Sequence, residues 1–579
     1  ADPPGARARH GELPGLRALT GGARAIGACL LVACGPAWAQ APQLPPETRP
    51  AEKPLPPPEF RKPPPALLEL PPLAPPEADR LPFAIRVMAR KFRFTGNTVF
   101  TDAELAAVAA PFENREITST DLEELRRRLT LHYVNRGYVN SGAVIPDQRI
   151  ADGVIEIRIV EGRLARIDVE GTEHFRKDYF SERIALRAGP PLNLVELEQG
   201  LQILLRDPLV ASINAQLAPG ERPGEALLRT RVTEAPRYDL GVSLDNRLSP
   251  SLGEATLTLH GEVRNLAGTG DVLSGELGVA EGIPYDAKLR YRTFLTARDT
   301  SLGVYYDRAR SEVVQEPFNV LDITSEIESF GAQIAHPIHR TPDRQLTLAA
   351  ALERREARTW LLGEPFSFSP GVVDGKSTVS VLRLVQDLVD RDRNQVVSVR
   401  STFSIGLDAF GSTIHDDAPD SRYVAWLGQL QWVRRFGERG HQLHLRVNGQ
   451  LSDDALLPLE QFSVGGRDSV RGFRTNQLVR DRGYTASLEY RVPVFRNPAG
   501  HRNLQFAAFV DTGGAKNRDA PNPEPSVLTG VGVGFIWSPS PKLYAEIYFA
   551  DGRTGVPDQP GHSLQDDSIY FRLVAYPLR

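Results

Sequence analysis

The chain has 579 residues, with 68 lysines and arginines against 72 aspartates and glutamates, a formal net charge of −4. That length sets a prior of roughly three or four domains, and the near-neutral balance leaves nucleic acid without an electrostatic footprint. The two cysteines, Cys29 and Cys34, are too few and too close together for a disulfide framework.

In chain order, Arg17 and Arg24 precede the apolar run AIGACLLVAC, and GPAWA then ends on Ala37 and Ala39. A basic region, a short apolar core and an Ala-x-Ala pattern read as a secretory signal over residues 1–39, cut after Ala39. A competing pattern, LVAC ending at Cys34, resembles a lipoprotein signal and would leave a lipidated cysteine. Cleavage after Ala39 leaves a mature chain without cysteine, which suits an oxidising compartment. Residues 40–85 are proline-rich, with PLPPPEFRKPPPALLELPPLAPP at their centre. Proline removes backbone donors and fixes φ, so this stretch reads as an extended periplasmic spacer of on the order of 100 Å, at about 3.1 Å per residue. A ligand for a proline-binding partner is the sharper alternative. ALLEL, residues 66–70, has room for one helical turn.

RFTGNTVF (93–100) and DVEGTEHF (168–175) share a pattern in which a strand runs into a glycine turn, with Gly96 and Gly171 equivalent. A unit of about 75 residues therefore occurs twice. In the first copy Thr101 and Glu104 form a capping box, and a second helix follows Thr118 with Leu122, Leu125, Leu129 and Tyr133 on one face and Gly137 after it. YVNSGAVIP and GVIEIRIVEG then read as strands, with Ile155, Ile157 and Ile159 alternating. The second copy has Asn193 and Glu196 as a capping box, followed by Leu194, Leu197, Leu201 and Leu204. Each unit reads β-α-α-β-β with an exposable sheet edge. The units span 86–163 and 164–236.

The stretch GYVNSGAVIPDQRIADGVIEIRIVEGRL, residues 137–164, resembles the first POTRA domain of the outer-membrane transporters of two-partner secretion, the haemolysin and filamentous haemagglutinin secretion type. The resemblance extends over nearly all of the mature chain. It implies two periplasmic POTRA domains that bind an unfolded exoprotein, and an exposed edge strand gives such a chain a physical route by backbone pairing.

From Tyr238 onward the period becomes two. YTASLEYRVPVF places Tyr484, Ala486, Leu488, Tyr490, Val492 and Val494 on one face, with Thr485, Ser487, Glu489 and Arg491 on the other. No apolar run reaches the roughly 18 residues of a membrane helix, but spanning strands give a weak signal per segment. Strands read backward from the C-terminus fall at 568–577, 542–551, 528–537, 504–513, 484–494 and 441–451. Their connections alternate long and short, the rhythm of a barrel with external loops and periplasmic turns. NLAGTGD, residues 265–271, is one such turn. The fold predicted for 237–579 is a transmembrane antiparallel β-barrel. The resemblance implies sixteen strands, whereas the sequence itself permits fourteen or eighteen.

VRGF, comprising Val470, Arg471, Gly472 and Phe473, lies in the long loop 452–483. FVDTG follows, and alternation turns its Phe509, Asp511 and Gly513 toward the lumen. A lumen aspartate lacks a partner unless something enters from above. The resemblance implies that the loop folds inward and that Arg471 pairs with Asp511. A plug helix, frequent in that family, is doubtful here because the corresponding region is proline-rich. The sequence carries no metal-spaced cluster among its eleven histidines, no hydrolase grouping and no nucleotide motif, so no enzyme, cofactor or metal is expected. The expected function is export of one secreted exoprotein across the outer membrane of a Gram-negative bacterium by two-partner (type V) secretion, with membrane lipid as the barrel's surroundings and neither nucleic acid nor nucleotide involved. A barrel-assembly factor is the runner-up and a passive porin a weaker third.

Overall fold

The computed structural model describes Arg49, Leu55, residues 58–61, 67–69, 86–496, 502–557, 559 and 561–578. The signal segment, its Ala39 cut and the Cys34 alternative lie outside the described residues.

In the first POTRA unit, Lys91–Thr95 pairs in parallel with Val154–Val160, which takes Gly142–Val144 antiparallel on its other side. Two helices, Asp102–Ala109 and Ser119–Val134, cover the sheet. Both begin with a capping box, Thr101 with Glu104 and Thr118 with Asp121, because a hydroxyl and a carboxylate three residues apart satisfy otherwise orphaned N–H groups reciprocally. Leu122, Leu125, Leu129 and Tyr133 form the buried helical face, against Phe92, Ile155, Ile157 and Ile159. One feature was not expected: Arg86–Ala89 pairs with Arg115–Thr118 as a separate two-stranded ribbon.

The second unit repeats the plan with Arg163–Glu170, helices Asp178–Ala188 and Leu194–Leu205, and strands Val210–Pro219 and Glu225–Glu234. Asn193 accepts from the Val195 and Glu196 N–H groups, which is half of the expected capping box. The internal duplication is visible atom by atom. Gly96 (φ +82°) and Gly171 (φ +85°) adopt the same left-handed turn, and a Cβ on either would overlap the carbonyl oxygen of Ile159 or of Val232. One carboxylate closes each turn. Glu161 accepts from the N–H of Thr98 (2.7 Å) and of Val99 (2.9 Å), and Glu234 from those of Glu173 (2.8 Å) and His174 (2.9 Å).

Sixteen antiparallel strands close the barrel, from Tyr238–Asp245 to Ile569–Leu578, and the first pairs with the last. A two-residue strand, Glu364–Pro365, is an addition at the outer end of the seventh. The last six strands lie within three residues of the sequence-based positions. Leu259, Leu289, Phe330, Leu352, Phe403, Leu488, Val510 and Phe535 stand exposed around the outside. An apolar band of this extent on a closed sheet is a lipid-facing surface, since a soluble protein leaves no such patch bare. No helix among the described residues is long and apolar enough to cross a membrane.

The first periplasmic turn fastens the barrel to the second POTRA domain. Arg176 N–H donates to the Gly268 carbonyl (2.9 Å), and Gly270 lies where a Cβ would press on the Tyr179 hydroxyl. Arg183 donates to Asp299 at 3.0 Å in the next turn.

The proline-rich segment is not a bare spacer where it is described. Arg49 is buried and donates to the Pro458 carbonyl (3.2 Å) and Asn476 Oδ1 (3.3 Å), both in the loop after the eleventh strand. The Arg435 guanidinium lies over the Phe60 ring at 4.1 Å. Arg61 reaches the periplasmic turns, donating to Asp343 (2.9 Å) and to the Asp392 carbonyl (3.0 Å). Leu68–Glu69 then pairs with Ala215–Gln216 as a parallel strand, in place of the helical turn that ALLEL allowed.

Candidate functional site

The loop between the eleventh strand (His441–Ser452) and the twelfth (Arg482–Arg496) folds into the lumen. Its two arms pair with each other, Phe462–Val464 against Leu478–Arg480, so the tip that carries VRGF is a stiffened hairpin. Val470 and Phe473 are buried with Phe462, Val464 and Leu478 against Leu427, Ala515 and Leu528 of the wall. Burying these side chains against the wall gives the loop a small core of its own. Gly472 (φ +96°) makes the turn, and a Cβ there would sit 2.7 Å from the Gly552 nitrogen.

Arg471 is 1% exposed. Its Nε and a terminal nitrogen donate to the two oxygens of Asp511 at 2.7 and 3.0 Å, and its backbone N–H adds a contact to the same carboxylate at 3.2 Å. The other terminal nitrogen donates to Glu489 at 2.7 Å. The guanidinium lies over the Phe509 ring at 3.4 Å and near that of Tyr548 at 4.7 Å. The register explains the convergence: Ser487 faces Asp511 and Glu489 faces Phe509 across the twelfth and thirteenth strands, all on the lumen side. A planar fork over an aromatic face, with a carboxylate at its edge, is an arrangement only arginine fills.

Three glycines on the wall make room. At Gly513 a Cβ would come within 2.8 Å of Val464 and 3.0 Å of Val470. At Gly530 it would overlap the Arg471 carbonyl, and at Gly552 it would press on the Phe473 ring at 3.0 Å. Tyr570 adds a clasp, receiving Gly472 N–H at 2.9 Å and donating to the Phe473 carbonyl at 2.7 Å.

A second fastening was not foreseen from the sequence. Glu460, on the loop's first arm and 2% exposed, accepts from Arg355 at 2.6 Å and from Arg383 at 2.9 and 3.1 Å. These arginines belong to the seventh (Arg344–Leu361) and eighth (Lys376–Arg391) strands. Arg383 also donates to Glu353 at 2.8 Å. Leu456, Leu457 and Leu459 pack around this contact against Val379, Val381 and Tyr423. The loop thus presents a cation to one part of the wall and an anion to another. Arg474, paired with Asp566 at 2.5 and 2.6 Å, ties the tip to the last outer loop. The signal available in the sequence was a lone arginine, Arg383, among alternating apolar residues of its strand.

Among the described residues no cluster of three His, Cys, Asp or Glu side chains is arranged to hold a metal ion. The site is built of ion pairs and packing.

A sequence model of the family described as "Haemolysin secretion/activation protein ShlB/FhaC/HecB" matches residues 224–536, more than half of the chain. The chain belongs to this family. A model of the ShlB-type POTRA domain matches residues 87–162. The chain is 25% identical over 456 residues to the outer membrane transporter CdiB of Dickeya dadantii, covering 77% of this chain and 79% of that protein. It is 23% identical over 440 residues to the heme/hemopexin transporter protein HuxB of Haemophilus influenzae, covering 72% and 74%. The solved structure of CdiB from Escherichia coli has the same fold, with a TM-score of 0.64 at 21% identity over 87% of this chain and 93% of that one. The protein is an outer-membrane transporter of two-partner secretion, a sixteen-stranded barrel with its POTRA domains in the periplasm.

Proposed function

We propose that this transporter takes one extended, unfolded secreted protein at the edge strands of its POTRA domains and passes it through a lumen whose bore is set by the loop 452–483. In this reading residues 1–39 are a signal, 40–85 a periplasmic linker, 86–163 and 164–236 the capture domains, and 237–579 the lipid-embedded barrel. Val470, Arg471, Gly472 and Phe473 anchor the loop, and Phe509, Asp511 and Gly513 receive it. No catalytic role, cofactor, nucleotide or nucleic acid enters, and net movement is drawn by folding of the exported chain outside.

The observation that supports this most directly is the character of the loop's attachment. It is held by discrete ion pairs, Arg471 to Asp511 and Glu489, rather than by pairing with the wall's strand edges. Such an anchor is strong while intact and can open without unpicking the barrel, because each wall strand keeps its neighbours. Arg471→Ala and Asp511→Ala are therefore expected to yield barrels that insert normally and resist heat in detergent, yet lower export at least tenfold. Wild-type export by both variants would sink the proposal.

A further inference from the structure

The outer edge of the second POTRA sheet is Val210–Pro219, ten residues long. It is not left open. Leu68–Glu69 lies along it in parallel, in register with Ala215 and Gln216, and Ala215 N–H donates to the Leu67 carbonyl at 2.8 Å. Leu67 is 3% exposed and belongs to the domain's core with Phe180, Leu197 and Leu217, while Leu68 packs against it. This is strand addition with a side-chain anchor, the mode by which sheets recognise extended peptides. Here the peptide is the protein's own.

We infer that Leu67–Glu69 is a tethered stand-in for the exported protein, which displaces it by adding an extended segment parallel to Val210–Pro219 with an aliphatic side chain in the Leu67 seat. The inference rests on the reading that the POTRA domains capture the exported chain. Two observations make the tethered strand replaceable. Its flanks, Pro63 to Pro65 and Pro71 with Pro72, cannot donate to a ladder, so proline limits how far it can extend. Among the described residues it pairs with only two of the ten positions, and a longer incoming strand can gain a foothold on the rest before the exchange is complete. The displaced segment also leads elsewhere. Arg61 is held at the periplasmic turns, and Arg49 at Pro458 and Asn476 of the loop that carries VRGF. Exchange at the sheet therefore pulls on the same chain that steadies the loop, which couples arrival of cargo to loosening of the lumen.

The test uses the full-length transporter in detergent and a labelled synthetic peptide copying residues 63–72. Leu67→Asp places a charge in an apolar seat and should free the edge. The peptide is expected to bind the Leu67→Asp transporter at least tenfold more tightly than the wild type, and a peptide carrying the same substitution should bind neither. Equal binding to both transporters, or none to either, overturns the inference. A second variant pair works on a protein that keeps the strand in place. Leu68→Cys with Ala215→Cys joins two residues in register, and oxidation should stop export of the cell's cognate secreted protein until a reductant is added. Undiminished export with the crosslink formed overturns the exchange while leaving capture and export intact. Failure of the unmodified wild type to export any secreted protein would instead remove the underlying reading and the inference with it.

Discussion

Arg471 meets more than one acid, and that changes what a charge exchange will do. A simple two-body pair predicts that Arg471→Asp with Asp511→Arg restores the contact. Glu489, however, also faces the guanidinium at 2.7 Å, and holds Arg491 at 2.5 Å besides. The exchange would set a new carboxylate beside Glu489 in a buried site, where like charges repel strongly. We expect the double variant to stay defective in export and to improve when Glu489→Gln is added; full rescue by the exchange alone would show that Glu489 is not coupled to the pair. Arg471→Lys should fail as well, because an ammonium cannot fork onto Asp511 while reaching Glu489. At the other fastening, Glu460→Gln removes the buried acid that Arg355 and Arg383 both reach, while Arg383 keeps Glu353. Removing one partner from a fully buried pair costs roughly 3–5 kcal/mol, an upper bound in a lumen that admits water. The expected result is loop cleavage by added protease in the Glu460→Gln variant under conditions where the wild type is resistant. Equal resistance would refute this anchoring role.

At the scale of elements, the two POTRA turns carry a pH dependence whose sign follows from their hydrogen bonds. Burial alone raises the Glu161 carboxyl; hydrogen bonds from Thr98, Val99 and Tyr133 outweigh it and hold the group below its ordinary range. Glu234 is lowered in the same way by the N–H groups of His174 and Glu173 against the opposing effect of burial. A carboxylate depressed in the fold contributes stability that is complete above its unfolded value of about 4.3 and is lost as pH falls through the folded value. Glu161→Gln and Glu234→Gln should each cost roughly 1–2 kcal/mol at pH 7, within the range for hydrogen bonds to a charged group, less in a partly exposed turn. The gap from wild type should narrow toward pH 3 in thermal unfolding of residues 86–236, and a gap independent of pH would disprove the assignment. These turns show what the sequence makes legible. Gly96, Gly171 and the Thr101 and Thr118 caps act within a few residues, and strand alternation put Asp511 on the lumen face, where it is fully buried. Glu460 was not legible because its partners lie 77 and 105 positions away and come together only when the barrel closes. Gly530 and Gly552 were silent for the same reason: their lack of a side chain matters only where the loop touches them. Leu67 was hidden by its surroundings, since a proline tract gives no hint that one leucine within it fills a distant core.

At the scale of the molecule, the lumen is a space shared by the barrel, its loop and the segment before the POTRA domains. Barrels of sixteen strands enclose an aqueous channel unless something fills it. Here the loop spans from the wall of the seventh and eighth strands, through Glu460, to that of the twelfth and thirteenth, through Arg471. Arg49 rests on the loop at Pro458 and Asn476, which flank those two fastenings in the sequence. A loop held at both ends should loosen only around the lost hold when one is removed, because the remaining ion pair and its apolar packing still keep its body in the lumen. Losing both should free it. Single-channel recordings in planar lipid bilayers should therefore show small conductance changes for Arg471→Ala and for Glu460→Ala separately. Combining them should raise conductance by several-fold, well beyond the sum of the two, since coupled sites depart from additivity when they restrain one body. If the combined variant conducts no more than the sum of its parts, the two ion-pair sites act independently and the loop does not move as one unit.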